Sequence, residues 1–354
     1  MEGEARRASV KVTYEKKNVT RSLLPYIETV EYNDAATGIS DELSFTLDNS
    51  DMRFLRKWKP LKGAMISAQI FLNDWNKENQ TKSFKTGDMV IDDLTAAFSP
   101  STFTIKALSA PVKTEFKGTE RKKTYKNTTI QSVANKIAKR AKVKLYYDAS
   151  KIKIKEIEQS DQSDADFLKD ICDEYGLGLK VYNKKIIIYD EEKYEKKSPL
   201  MTITRKGGIT ETWEWNTTMQ KTYQGAKVTY TDSSSNKKHK ARAGKKKGRQ
   251  LKLNVSAFSK KDAQLKAKAA LRKKNKEMTT MTMTVDPDPR LIACGCVQLT
   301  GFGKASGKYF IDEAKHKIGK GYSIDLTLHK IPTKKKVQVG GGIEDNDVGG
   351  GGGR

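Results

Sequence analysis

Apolar and polar positions alternate through most of the first hundred residues. Val10, Val12 and Tyr14 do so in ASVKVTYEKKNVT, followed by Ile27, Val30 and Tyr32 and by Leu43, Phe45 and Leu47. This near-period-two pattern places one side of a strand in a core. GAMISAQIFLND adds a strand through Met65, Ile66, Ala68, Ile70 and Leu72, and FKTGDMVIDDLTAAFSPSTFTIKALS adds two or three more. Pro60-Leu-Lys-Gly63 and Lys85-Thr-Gly87 are turn signals, and DMRFLRKW reads as a short helix or turn. Short strands at this spacing predict a small barrel or sandwich over residues 1–111.

Near residue 112 the period changes. Ile130, Val133, Ala134, Ile137 and Ala138 recur at i, i+3, i+4, i+7 and i+8 after an N-cap at Asn127/Thr128, which predicts a helix with one apolar stripe. SDADFLKDICDEYG predicts a second helix, opened by Ser163 and closed by Gly176. GLKVYNKKIIIYD follows as a hairpin turning at Asn183-Lys184, so 112–198 is an α+β insertion. After Ser198-Pro199 strands return over 199–332, with Thr210, Thr212, Trp213 and Trp215, then Ala226, Val228 and Tyr230. Within this part, SSSNKKHKARAGKKKGRQLKL has the composition of an exposed mobile loop. SKKDAQLKAKAALRKKNKE is a helix capped by Ser259, with a narrow stripe of Ala263, Ala267, Ala270 and Leu271; loop and helix occupy 233–277. Four closing strands lead to a flexible glycine-rich tail at 333–354. The expected fold is mainly β with an α+β insertion, two β-barrel-like domains embedding smaller α+β parts.

Charge changes this picture in one place. The chain of 354 residues is 36% hydrophobic and 31% charged, with a net charge of +25. Between Asn236 and Lys276 stand seventeen Lys/Arg against one Asp, so one segment supplies well over half of the excess. The candidate polyanion or partner contacts are Lys237, Lys238, Lys240, Arg242, Lys245, Lys246, Lys247 and Arg249. Their charge fits phosphate contact without sequence preference. It fits equally a solvated loop or one ordered by an acidic neighbour in an assembly. Phe258 is the single aromatic in the segment, so the stacking platform of a single-strand binder is missing. Nucleic acid is therefore the second reading.

Candidate chemistry is sparse. With three cysteines, no disulfide framework is expected and folding in a reducing compartment is the default. The N-terminus MEGEARRASVKVTYEKK lacks an apolar core and no run of 18 apolar residues occurs, so neither a cleaved signal nor membrane insertion is expected. Cys294 and Cys296 would share one face of a strand, but a structural zinc needs four ligands, and His316 and His329 lack pair spacing. Gly301-Phe302-Gly303 precedes a strand rather than a helix, which makes it a connection and not a phosphate loop. Asp41-Glu42 and Asp92-Asp93 read as strand ends, and Asp286-Pro-Asp288-Pro, which could line a metal or sugar site, reads rather as prolines that stop pairing before a strand from Arg290-Leu291. No catalytic, cofactor-binding or metal residues are assigned.

The order of these elements resembles the late control gene D family, the baseplate hub proteins of contractile phage tails and related injection particles. TGISDELSFTLDNSD with WKPLKGAMISAQIFL is similar to that family's opening strands. TTIQSVANKIAKRAKVKL with SDADFLKDICDEYGLGLKVYNKKIIIYD is similar to its insertion. SKKDAQLKAKAALRKKNKE with LIACGCVQLTGFGKASGKYFIDEAKHKIGKGYSIDLTLHK is similar to its helix and closing strands. The basic stretch 236–250 exceeds what the family pattern requires. The resemblance implies a structural subunit without chemistry of its own, located in the baseplate of a virion or a tail-like particle assembled in the bacterial cytoplasm. It implies a homotrimeric ring in which each chain supplies two β tube domains. Its partners would be the hexameric tail tube protein, the central spike protein and other baseplate proteins, with the tail at 333–354 a tether to the spike or a disordered end. The alternative is a basic nucleic-acid-binding protein using segment 236–276.

Overall fold

The computed structural model describes residues 6–332 apart from 39, 76–78, 110–114, 207–208, 221 and 232–237, and the side chains of 209–211. The predicted tail at 333–354 lies outside the described residues, as does Lys237.

The first β unit comprises β1 (Arg7–Tyr14), β2 (Lys17–Asn18), β3 (Ile27–Ala35), β4 (Glu42–Asp48), β5 (Met65–Asn73), β6 (Thr81–Lys85), β7 (Met89–Ala97) and β8 (Thr102–Leu108), with a helical turn α1 (Thr20–Leu23). The insertion follows as α2 (Glu115–Gly118), β9 (Glu120–Thr129), α3 (Ile130–Arg140), β10 (Lys144–Asp148), β11 (Lys153–Ser163), α4 (Asp164–Tyr175), β12 (Leu177–Tyr182), β13 (Lys185–Asp190) and α5 (Glu191–Glu195). The remainder is β14 (Met201–Thr204), β15 (Ile209–Thr217), β16 (Gly225–Thr231), β17 (Lys238–Gly244), β18 (Gln250–Asn254), α6 (Lys260–Lys276), β19 (Thr279–Val285), β20 (Cys296–Thr300), β21 (Gly307–Ile318) and β22 (Tyr322–Lys330).

The two β units are hydrogen-bonded to one another. They form one sheet in the order β15-β19-β22-β21-β3-β4-β8-β7-β5-β1-β2, with β6 on β5 and the β14–β20 pair attached through β21. The join is antiparallel pairing of β3 with β21, from Glu313 opposite Ala35 to Ile318 opposite Val30. Because inward residues alternate along every strand, one apolar core runs through both units, from Val12, Phe45 and Ile70 to Met281, Ile311 and Leu328. The insertion has its own core, around Val133, Ile137, Phe167, Leu168 and Ile188. Thr129 accepts from Ser132 N and caps α3, one to two residues beyond the predicted cap, because Thr128 and Thr129 are still paired in β9. That pairing, β9 with β11, adds a ribbon that the helical periods on either side conceal.

A buried ion cluster fastens the insertion to both β units. The Lys180 ammonium contacts Asp34 and lies 2.9 Å from Asp41, and it donates to the Ala35 carbonyl at 3.0 Å. Asp41 also accepts from Tyr32 Oη and Ala35 N, and Asp34 accepts from Ala293 N at 2.9 Å. Burial opposes the Lys180 charge, but the two carboxylates outweigh it and hold the ammonium's pKa above its ordinary value. Burial raises Asp41 to about 6, while Lys180 pulls it the other way.

Candidate interaction surfaces

From Lys238 onward the basic segment is two strands joined by a turn, not a loop. β16 is the centre of a three-stranded sheet, paired antiparallel with β17 and parallel with β18, and α6 packs on one face. KHKARAG alternates cation and small residue, so His239, Ala241 and Ala243 turn toward the helix side while Lys238, Lys240 and Arg242 turn away. His239 stacks on Tyr230 at 5.4 Å. In α6, buried Ala263, Ala267 and Leu271 face the sheet, while Ala269 is buried on the side of Gly176 in the insertion and the predicted Ala270 is half-exposed.

The remaining predicted residues divide. Lys245, Lys246 and Lys247 are exposed in the turn between β17 and β18. Gln250 organises that turn by donating to the carbonyls of Lys245, Lys247 and Gly248. Arg249 is committed elsewhere: its guanidinium donates to the Met219 and Gln220 carbonyls and lies over the Tyr223 ring at 4.8 Å. Register brings in two cations beyond the eight named candidates, one of them, Lys252, inside the basic segment and the other outside it. Lys227 on β16 stands between Arg242 on β17 and Lys252 on β18. The alternation in GAKVTYT and QLKLN is the signal that finds them.

The cations of α6 behave differently. Lys266 pairs with Glu174, Lys268 with Glu192, Arg272 with Glu195, Lys273 with Asp173 and Lys276 with Glu191. The helix is thereby tied to α4 and α5 of the insertion. The hydrogen bond from Lys268 holds Glu192 down at about 2, against its partial burial. These helix charges are consumed internally.

A second surface is apolar. At one end of the first β unit, a cavity of about 320 Å³ is lined by Tyr14, Leu23, Phe54, Trp58, Ile66 and Ile105 among others. Tyr26, Phe54 and Trp58 meet edge to face, and the Arg53 guanidinium lies 4.0 Å from the Tyr26 ring centre and 4.8 Å from that of Trp58. Leu24, Leu61 and Trp58 around it are exposed by 57%, 68% and 42%, and Phe98 at the β7–β8 tip by 91%. An apolar cluster of this kind marks a contact surface. The third feature is the sheet's end. Among the described residues β15 pairs with β19 alone, so its outer edge offers backbone groups for pairing.

Asp92 and Asp93 lie inside β7, at its irregularity opposite β8, and not at a strand end as expected. Cys294 lies in a turn at φ 66 and the strand begins only at Cys296, which corrects the expectation that both occupy one strand face. Cys294 Sγ is 3.3 Å from Tyr189 Oη, Cys296 Sγ is 3.5 Å from the Tyr194 carbonyl, and burial raises both thiols, Cys294 to about 11. Gly301 and Gly303, both at positive φ, connect antiparallel β20 and β21. Arg290 clamps Asp288 with two bonds of 2.9 and 2.7 Å. His316 is buried against Tyr322 and pushed down to about 4 by burial. His329 bridges Asp312 at 2.7 Å and Glu195 at 3.3 Å. Among the described residues no group of three His, Cys, Asp or Glu could hold a metal ion.

No family model matches the chain. In sequence it is 27% identical over 206 residues to the probable baseplate hub protein of Escherichia phage 186, covering 56% of this chain and 50% of that protein. It is 26% identical over 206 residues to the probable baseplate hub protein of Escherichia phage P2, covering 55% and 49%. The chain thus spans about half the length of the curated relatives it matches. In fold it is similar to the 43 kDa tail protein of prophage MuSo2 from Shewanella oneidensis, with a TM-score of 0.68 at 11% identity, over 92% of this chain and 98% of that one.

Proposed function

We propose that this chain is a structural subunit of the baseplate hub of a contractile tail or injection particle. Its similarity to two baseplate hub proteins, on a fold similar to that of a phage tail protein, carries the reading. Three copies would form a ring joining the hexameric tail tube to the central spike. The partition proposed for that role is 1–111 and 199–332 as tube domains, with 112–198 as an insertion outside the tube wall.

The physical argument is closure. Among the described residues, the strand path that joins the two β units ends at β15 on one side and at β1, β2 and β6 on the other. Head-to-tail addition of such sheets is a heterologous contact, which makes a closed ring when the rotation per copy divides a full turn. Three copies would present six β units, which matches a sixfold tube without six chains. The apolar end around Trp58 and Leu61 would face the next layer of the assembly. The role proposed is mechanical, and no residue is assigned to catalysis.

Single-particle imaging of the purified full chain tests this. Rings with threefold symmetry and a central channel are expected. Isolated sheets, twofold dimers or open filaments at every concentration would overturn the ring.

A further inference from the structure

We propose that the open face of the small sheet β16–β18 binds the phosphate backbone of double-stranded DNA without sequence preference. The hub assignment does not require such a site, and the site does not depend on that assignment.

The face is built by alternation. With α6 on one side, register places Lys227, Lys238, Lys240, Arg242 and Lys252 on the other, all exposed. Lys252, Lys227 and Arg242 form one row across three strands. Like charges directly opposite each other destabilise a strand pair, so this arrangement costs the fold something that an anionic occupant returns. Among the described residues none of the five has a carboxylate within ion-pair distance, whereas five cations of α6, one helix away, all do. The basic segment is therefore two things, a helix with five of its eight cations paired and a sheet face with none of its five paired among the described residues.

The character of the face selects the occupant. Between the cations stand Thr229, Thr231 and Asn254. Together with Lys and Arg these are residue types that contact phosphate oxygens. Aromatic residues of the sheet, Tyr230 and His239, lie on the helix side, so nothing here can stack on unpaired bases, and a duplex is favoured over a single strand. A protein partner is disfavoured too, because protein interfaces deplete lysine and centre on apolar anchors, which this face lacks. The exposed turn lysines 245–247 extend the positive surface beyond the Gly225–Gly244 end.

The test is fluorescence anisotropy with the full chain and two duplexes of unrelated sequence, over a salt series. Both duplexes are expected to bind alike, on the order of micromolar at low salt. Each cation removed from the contact lowers the slope of log K against log salt by about 0.9. Lys227→Gln/Arg242→Gln/Lys252→Gln should thus lose about 2 to 3 units of slope and at least about tenfold in affinity at low salt. Lys227→Arg/Lys252→Arg should bind as the parent does. Lys260→Gln/Lys261→Gln/Lys274→Gln removes the same charge from exposed helix positions and should change the slope little. All three sheet side chains are exposed, so unfolding midpoints should stay within experimental error of the parent. Equal loss in the helix control would reduce the effect to net charge and overturn the site. So would absence of duplex binding at low salt, or tighter binding to polyglutamate or to poly(glycerol phosphate) than to the duplex.

Discussion

Replacing Lys180 by Met removes one charge from a cluster of three and should be among the most damaging single changes in the chain. Asp34 is 5% exposed and Asp41 1%, so water cannot take over from the ammonium. Breaking a buried ion pair from one side costs about 3–5 kcal/mol, because the remaining charge stays desolvated. Here two carboxylates remain, linked to Ala35, Ala293 and Tyr32 in both β units, so the upper part of that range applies. The effect should depend on pH with a definite sign. Asp41 is already raised to about 6 by burial with Lys180 beside it, and losing Lys180 raises it further. An acid whose folded pKa is raised contributes stability that is full below its unfolded value, about 3.9, and lost as pH rises through the folded value. The parent should therefore lose stability between about pH 4 and 6 from this group, and the variant should go on losing it above pH 6. Guanidinium unfolding of both proteins at pH 5 and pH 7.5 measures this. The gap between them should shrink at pH 5, and Asp41→Asn added to the variant should recover part of the loss. A deficit below about 1 kcal/mol at pH 7.5, or one identical at both pH values, would show that the Lys180 ammonium does not neutralise this carboxylate pair.

Three further outcomes follow from local geometry. His329 is opposed by burial but raised by its bonds to Asp312 and Glu195, so its stabilisation is complete below about pH 6.5 and lost as pH rises through the higher folded value; His329→Gln should flatten the melting temperature between pH 6 and 8. A Cβ at Gly178 would lie 2.2 Å from Tyr189 Cζ, whose hydroxyl donates to the Ala36 carbonyl, so Gly178→Ala should cost about 1–3 kcal/mol in denaturant titrations. Leu61→Asp with Phe98→Asp alters only exposed positions, so it should leave the melting temperature nearly unchanged while weakening co-assembly with neighbouring tail components in pull-down from particles.

Alternation and helical period made most elements legible. β4, β5, α3 and α4 stand where the apolar positions put them, because each buries one face against one core. The basic segment misled for a physical reason. In β17 the inward residues are His239, Ala241 and Ala243, small or polar, so composition spoke for a loop while period two was present all along. Lys227 and Lys252 were not singled out because only strand register brings them beside Arg242, and that register pairs residues well apart in the chain, Lys227 with Arg242 and with Lys252. The joining of both β units through β3 and β21 was beyond local pattern too, since it pairs residues nearly three hundred positions apart in the chain.

The ring is the centre of the account, and native mass by light scattering at low and high salt tests it most directly. A mass near three times 39.7 kDa that survives high salt is the predicted result, since the contacts proposed are backbone and apolar. A mass of 39.7 kDa at both salts and at all accessible concentrations would contradict it.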